Sequence, residues 1–302
     1  MHQEPPLFRP LSISGATALV AVLGDPVRHS LSPAMHNAAL AALGLDWVYL
    51  ALPTPAEQLA GVLTALEAID CRGLNVTLPH KQAAAELAAA CSPLAERLGA
   101  VNTLVRRAEG GWLGSNTDVA GFLAPLTSQG RPWQGQQAVL LGCGGSARAV
   151  VAGLAELGLT RISVAARRPE PLAAFLEHCS PWAPQLQALA WEALPAALAQ
   201  ADLLVNTTPV GMASAADPSA QQACPLGAEA LAALKPGSTV YDLIYTPRPT
   251  TLLRLASERQ CQTLDGLEML VQQGAAALRL WSGIEDLPIA AMRDAALAQL
   301  LA

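Results

Sequence analysis

Apolar residues fall along this chain in short runs, set off by glycine and proline turns and by longer alanine-rich stretches. An apolar run at 19–23, the turn Gly24-Asp25-Pro26 and an alanine-rich segment to Leu43 closed by Gly44 predict a strand followed by a helix. A second strand is predicted at 47–52. Thr54-Pro55-Ala56-Glu57 then has capping-box spacing with proline at the first helical position, predicting a helix to about residue 69. Residues 71–78 read as a short strand, Ser92-Pro93 as a helix start, and 100–107 with 112–115 as a hairpin.

A second pattern begins after the polar stretch 134–137. The apolar run 138–141 leads straight into Gly142-Cys143-Gly144-Gly145-Ser146-Ala147, then a helix at 146–157 and a strand at 161–165. Further strands are predicted at 202–206 and 239–244, with helices between, the alternation of a doubly wound sheet. From Gly266 the periodicity is helical with no strand, so this tail must dock its apolar face on structure already built. The expected class is α/β, with the second domain of Rossmann type.

Composition narrows the function. At 302 residues with 52% hydrophobic and 14% charged residues, the chain suits two globular domains. It contains no apolar run near the roughly 18 to 20 residues of a membrane span and its start lacks a signal-peptide core, so a cytoplasmic location and no membrane partner are expected. The six cysteines are scattered without zinc-site spacing, which predicts free thiols and no metal. A net charge of −6 argues against nucleic acid as a partner. Among 18 basic residues only Lys81 and Lys235 are lysines.

Gly142, Gly144 and Ala147 fit the G-x-G-x-x-[GA] pattern, with Gly145 and Ser146 opening the helix. Small residues there allow a tight turn and let backbone N–H groups approach a pyrophosphate. A strand before and a helix after favour this reading over a plain glycine turn. The next strand ends in Ala165-Ala166-Arg167-Arg168-Pro169, without the acid that would bond the ribose 2′-hydroxyl of NAD. Two guanidinium groups suit the 2′-phosphate of NADP, although a solvated arginine pair reads the same way and Glu170 is near.

Further motifs are Ser30-Leu31-Ser32-Pro33, Asn75-Val76-Thr77-Leu78-Pro79-His80-Lys81, Gly99-Ala100-Val101-Asn102-Thr103, Asn116-Thr117-Asp118, Asn206-Thr207-Thr208-Pro209-Val210-Gly211, Asp242-Leu243-Ile244-Tyr245-Thr246-Pro247 and the run from Gly266 through Met269 and Gln273 to Gly274. Over nearly its whole length the chain resembles the shikimate dehydrogenase family. The resemblance implies a discontinuous substrate-binding domain (1–117 and 266–302) and a Rossmann-type NADP-binding domain (118–265). It implies Lys81 and Asp118 as the catalytic pair. Ser30 and Ser32 would hold the substrate carboxylate, with Asn75, Thr77, Asn102, Asp118, Tyr245 and Gln273 completing the substrate site. Thr208, Leu243, Gly266 and Met269 would join Gly142, Gly144, Gly145, Ser146, Ala147, Arg167 and Arg168 around NADP, and His80 would only flank.

Each residue also has a plainer reading. Ser32 before proline suits a helix N-cap, Asp118 a helix-start carboxylate, Asn102 a turn, Tyr245 a core aromatic and Gln273 a solvated helix face. The implied activity is NADP-dependent reduction of 3-dehydroshikimate to shikimate, in aromatic amino acid biosynthesis, by a monomer or homodimer. A quinate enzyme using NAD or NADP is the nearest rival, with Asn75 and Thr77 favouring shikimate. A non-catalytic dinucleotide sensor would have little reason to keep both Lys81 and Asp118. Ala166-Arg167-Arg168 departs from the family's Asn-Arg-Thr and puts the strength of NADP preference in question. The extension to about Thr17 has no readable role.

Overall fold

The computed structural model describes residues 13–213 and 217–301, so most of the N-terminal extension lies outside the described residues. The chain divides into two compact units, one ending at Thr117 and resuming at Val271, the other running Asp118–Leu270.

The first unit opens with β1 (Ala18–Gly24), α1 (Ser32–Leu43), β2 (Trp47–Pro53), α2 (Leu59–Ala68), β3 (Gly73–Val76), α3 (Lys81–Leu87), β4 (Ala90–Cys91), α4 (Pro93–Leu98), β5 (Thr103–Arg106) and β6 (Trp112–Ser115). Its sheet has the order β2-β1-β3-β5-β6-β4. β1 pairs in parallel with β2 and β3, whereas β5 is antiparallel to both β3 and β6. The run at 19–23 was readable because a parallel strand covered on both faces is continuously apolar, and Val20 to Leu23 are buried.

Two capping expectations fail here. Ser32 is the first residue of α1, not its cap; the backbone is already helical at Leu31, which makes no side-chain cap bond. The Ser30 hydroxyl instead accepts from the Ser32 N–H at 3.2 Å. At the expected capping box, a 3₁₀ turn Ala56–Gln58 precedes α2 and the Thr54 hydroxyl donates to Leu52 O at 3.0 Å. Tertiary bonds hold Thr54 in that pose: its N–H donates to Gly24 O at 3.0 Å, and His80 Nε2 lies 2.7 Å from its carbonyl oxygen. A carbonyl only accepts, so Nε2 carries the imidazole proton. Ser92 does cap as expected, accepting from Ala95 N–H at 3.2 Å.

The second unit contains α5 (Asp118–Thr127), β7 (Gln137–Leu141), α6 (Gly145–Glu156), β8 (Arg161–Ala165), α7 (Pro169–Cys179), β9 (Leu186–Ala188), α8 (Leu194–Leu198), β10 (Leu203–Asn206), α9 (Ala228–Ala232), β11 (Thr239–Asp242), α10 (Thr251–Ser257) and β12 (Gln262–Leu264). The strands are parallel in the order β12-β11-β10-β7-β8-β9, which reverses between β7 and β10. That is the doubly wound order of dinucleotide-binding sheets, with the ligand crevice outside the strand ends at the reversal. One face is covered by a core around Phe122, Val150, Leu154 and Tyr241, the other by Leu198, Leu231, Leu252 and Leu253. β11 stops two residues before the predicted end, at Asp242.

The tail forms α11 (Leu267–Ser282) and α12 (Ile289–Leu301), and the unit boundary falls inside α11. α12 packs against α1. Trp281 on α11 donates from Nε1 to Leu104 O at 3.0 Å and fills the space that a side chain at Gly73 would need. Among the described residues no helix is long and apolar enough to cross a membrane.

Candidate active site

In the first unit, polar side chains at and just beyond the strand ends bind one another. Asn75 on β3 stands opposite Thr103 on β5 in the antiparallel register. The Asn75 amide donates to Asn102 O at 3.2 Å and Thr103 Oγ1 at 3.3 Å. Its oxygen accepts from the Tyr49 hydroxyl at 2.8 Å. Asn102 Oδ1 accepts from Thr117 N–H at 2.8 Å and from the Thr103 hydroxyl at 3.0 Å. Asn102 Nδ2 donates to Thr117 Oγ1 at 3.0 Å and Gln273 Oε1 at 3.4 Å. The Ser32 side chain, buried at the start of α1, faces the Tyr49 hydroxyl. The structure thus brings Ser32, Asn75, Asn102 and Gln273 into one cluster, with Ser30 tied to Ser32 by its hydroxyl.

Asn102 is therefore not a loose turn residue; both ends of its amide are used and it is 2% exposed. Thr77 follows β3, half-buried against Gly24. Lys81 is the first residue of α3, half-buried, and its carbonyl accepts from Val101 N–H at 2.8 Å, which ties the motif segment to the hairpin. His80 beside it is buried in the framework through Thr54.

Two members escaped sequence reasoning. Tyr49 lies in the apolar strand β2 and reads there as core, its hydroxyl being the sole hint. His36 on α1 is fully buried, stacked on Tyr49 with ring centroids 4.1 Å apart. Burial lowers its pKa to about 4, opposed by bonds at Ser32 and Gly274. Nδ1 lies 2.9 Å from Ser32 O and Nε2 3.2 Å from Gly274 O, so the ring sits between α1 and α11 one residue from Gln273, and its single N–H in the neutral form serves one of the two carbonyls.

The second unit offers mostly backbone. Gly142 has φ +99, and a side chain there would press on the Thr207 hydroxyl, so only glycine suits the turn. Gly144 precedes α6 without a side-chain cap, and a Cβ on Gly144 or Gly145 would meet nothing within 4 Å. This leaves open space beside unpaired helix N–H groups, the arrangement that suits a pyrophosphate. Ser146 is half-buried there and Ala147 is packed inside. Arg167 and Arg168 are exposed between β8 and α7. Burial pushes the Cys143 thiol up, and the charge of Arg168 opposes it, so that guanidinium is near enough for the glycine loop to feel its charge.

Across the reversal point, Asn206 Oδ1 accepts from the Thr208 N–H at 3.0 Å and hydroxyl at 2.7 Å. A Cβ on Gly266 would overlap the Leu243 carbonyl, so these two strand-end segments touch through backbone. Met269 is buried in the core with Phe122 and Tyr241. Tyr245 is half-buried, its phenol pushed up by burial. Asp118, buried, is the first residue of α5 and directly follows Thr117 of the Asn102 network. Among the described residues no group of three or more His, Cys, Asp or Glu could hold a metal ion.

The parallel sheet and its glycine turn define a dinucleotide-binding protein joined to a second α/β unit. Comparison with known proteins is more specific. A shikimate dehydrogenase substrate binding domain model matches residues 22–104, and a shikimate 5'-dehydrogenase C-terminal domain model matches 266–297. The chain is 49% identical over 286 residues to the shikimate dehydrogenase (NADP(+)) of Trichormus variabilis, covering 94% of this chain and 97% of that one. Among solved structures, shikimate 5-dehydrogenase of Thermus thermophilus, in complex with NADP(H) and shikimate, is similar with TM-score 0.81 and 40% identity, covering 94% of this chain and 100% of that one. Quinate dehydrogenase of Corynebacterium glutamicum, in complex with NAD, is similar with TM-score 0.84 and 31% identity, over 93% and 99% of the two chains. The chain belongs to the shikimate dehydrogenase family.

Proposed function

We propose that this chain is an NADP-dependent shikimate dehydrogenase, an oxidoreductase interconverting 3-dehydroshikimate and shikimate on the route to the aromatic amino acids. The observation that carries the reading is the hydrogen-bonded cluster of Ser32, Asn75, Asn102 and Gln273 in the unit matched by the substrate-binding domain model. A polyhydroxylated ring acid needs several aligned donors and acceptors, and pairing the side chains among themselves presets their directions.

In this reading Ser30 and Ser32 receive the carboxylate at the start of α1, where helix N–H groups also favour an anion. Local donors are needed because the chain as a whole carries −6. Asn75, Thr77, Asn102, Asp118, Tyr245 and Gln273 bind the hydroxyl-bearing ring. NADP supplies or accepts the hydride when bound. Gly142, Gly144, Gly145, Ser146 and Ala147 hold its pyrophosphate, Arg167 and Arg168 its 2′-phosphate, and Thr208, Leu243, Gly266 and Met269 its other half. The alcohol oxygen gains or loses a proton in the same reaction, so an acid–base group must lie within hydrogen-bond reach of it. Lys81 takes that role, with Asp118 as its partner. In this reading the enzyme is cytoplasmic.

Initial rates with shikimate and quinate, each with NADP+ and NAD+, test the reading. Shikimate with NADP+ should give the highest kcat/KM, and replacing Arg167 and Arg168 by alanine should raise the KM for NADP+ far more than that for NAD+. Preference for quinate with NAD+ would transfer the chain to the rival activity.

A further inference from the structure

A buried carboxylate beneath the second unit's strand ends has no part in the roles given so far. Asp242 ends β11, is 0% exposed, and stands beside Asn206, the last residue of β10. Its Oδ1 accepts from the Asn206 amide at 2.9 Å and from Ile244 N–H at 3.2 Å. Its Oδ2 accepts from the Thr250 hydroxyl at 2.7 Å, and Thr250 in turn caps α10 by accepting from Leu253 N–H at 3.3 Å.

An ionised carboxylate can only accept. The Asn206 side chain must therefore turn its NH₂ toward Asp242, which leaves its oxygen facing the N–H and hydroxyl of Thr208. The opposite flip would set oxygen against oxygen on one side and donor against donor on the other. We propose that Asp242 is a positioning residue for the nicotinamide side of the cofactor site, setting the Asn206 amide and through it Thr208, and holding the Leu243–Tyr245 segment by the Ile244 N–H. The inference rests on the reading of Thr208 and Leu243 as cofactor contacts.

Burial raises the Asp242 pKa to about 6, against the bonds from Thr250, Ile244 and Asn206. The charged group that adds to the rise is Asp265, itself paired with Arg248 at 2.7 Å. Cys224 also feels the Asp242 charge, with Arg254 acting on that thiol in the opposite sense. Protonation weakens the acceptor that orients Asn206, so cofactor use should decline as pH falls through about 6.

The test is the pH dependence of kcat and KM for NADP+ in the full chain, with direct NADP+ titration. Asp242→Asn keeps the shape and removes the charge. It should raise the KM for NADP+ about three- to tenfold with a smaller change in kcat, and lose the acid-side inflection. Thr250→Val deletes the donor to Oδ2 and should move the inflection to higher pH, while Thr250→Ser restores it. If Asp242→Asn does not fold, the two Thr250 variants decide, since lost stability lowers amplitude and leaves the inflection in place. An unchanged KM and profile in Asp242→Asn, or an unmoved inflection in Thr250→Val, overturns the proposal. Thr208→Val separates the two layers. If it leaves NADP+ affinity intact, the reading of Thr208 as a cofactor contact falls, and the inference with it. If it weakens NADP+ while Asp242→Asn does not, the inference alone falls.

Discussion

The first unit presents side chains that bind one another, whereas the glycine turn of the second presents backbone beside open space. Asn75, Asn102, Thr103, Thr117 and Gln273 share their hydrogen bonds before any substrate arrives. Around Gly144 and Gly145 the helix N–H groups face open space, and the flanking Arg167 and Arg168 are exposed. The difference follows from what each must distinguish. A ring with hydroxyls at fixed positions is told apart by matched donors and acceptors, whose misfit is costly. A pyrophosphate is a diffuse charge that a helix terminus and glycine backbone accept with little side-chain detail. Substitutions in the first unit's hydrogen-bonded network should therefore act on turnover and substrate KM, and those around the second unit's glycine turn on cofactor KM.

The sharpest break of that contrast lies at Lys81. Replacing it with alanine should lower kcat by about 10² to 10⁴, roughly 3 to 5 kcal/mol in the barrier, while NADP+ affinity stays the same. Lys81→Arg should keep charge and substrate binding but not turnover, because a guanidinium does not give up its proton near neutral pH. Near-normal kcat in Lys81→Ala across the pH range would remove the proposed mechanism.

The next test sets two buried ionisable groups, His36 and Asp242, against each other. Burial drives both toward their neutral forms, with opposite consequences for stability. His36 is lowered from 6.5 to about 4, so the unfolded chain takes its proton first and the contribution, present above 6.5, is lost as pH falls toward 4. Asp242 is raised from 3.8 to about 6, so its contribution is present below 3.8 and lost as pH rises through 6. Each shift corresponds to roughly 3 kcal/mol, and between those limits the two slopes oppose. In denaturant unfolding at several pH values, Asp242→Asn should lose stability on acidification more steeply than the parent. His36→Gln should lose it less steeply. Parallel curves for all three proteins would show that neither group is linked to folding.

The comparison also explains what the sequence could disclose. Strands at 19–23 and 138–141 were legible because buried parallel strands are unbroken apolar runs. β4, β9 and β12 span two or three residues, too few for any period. Caps were legible where the outcome was local, as at Ser92, and misleading at Thr54, whose backbone is held by Gly24 and His80 far along the chain. Lys81 and Asn102 stood out in polar motifs. Tyr49 and His36 sit in segments whose apolar neighbours hide them, and only the fold shows that their polar atoms serve the cluster.

The smallest expected effect concerns Ser30, where the corrected helix start changes the forecast. Had Ser32 capped α1, its loss would have been the one to fray the helix. In the structure the Ser30 hydroxyl accepts from the Ser32 N–H, one of the first-turn donors that has no partner within the helix. Ser30→Ala should therefore lower stability by about 0.5 to 1 kcal/mol, the low end for a lost N-terminal acceptor because water can reach this half-buried position. The same hydroxyl is assigned to the substrate carboxylate, so the KM for shikimate should rise as well. Ser30→Thr keeps an oxygen in place and should recover most of the stability. In both variants the KM for NADP+ should stay put, since the change lies wholly in the first unit. Thermal melts with initial rates at saturating NADP+ read all three quantities, and an unchanged shikimate KM in Ser30→Ala would take Ser30 out of the substrate site and leave it the task of starting the helix.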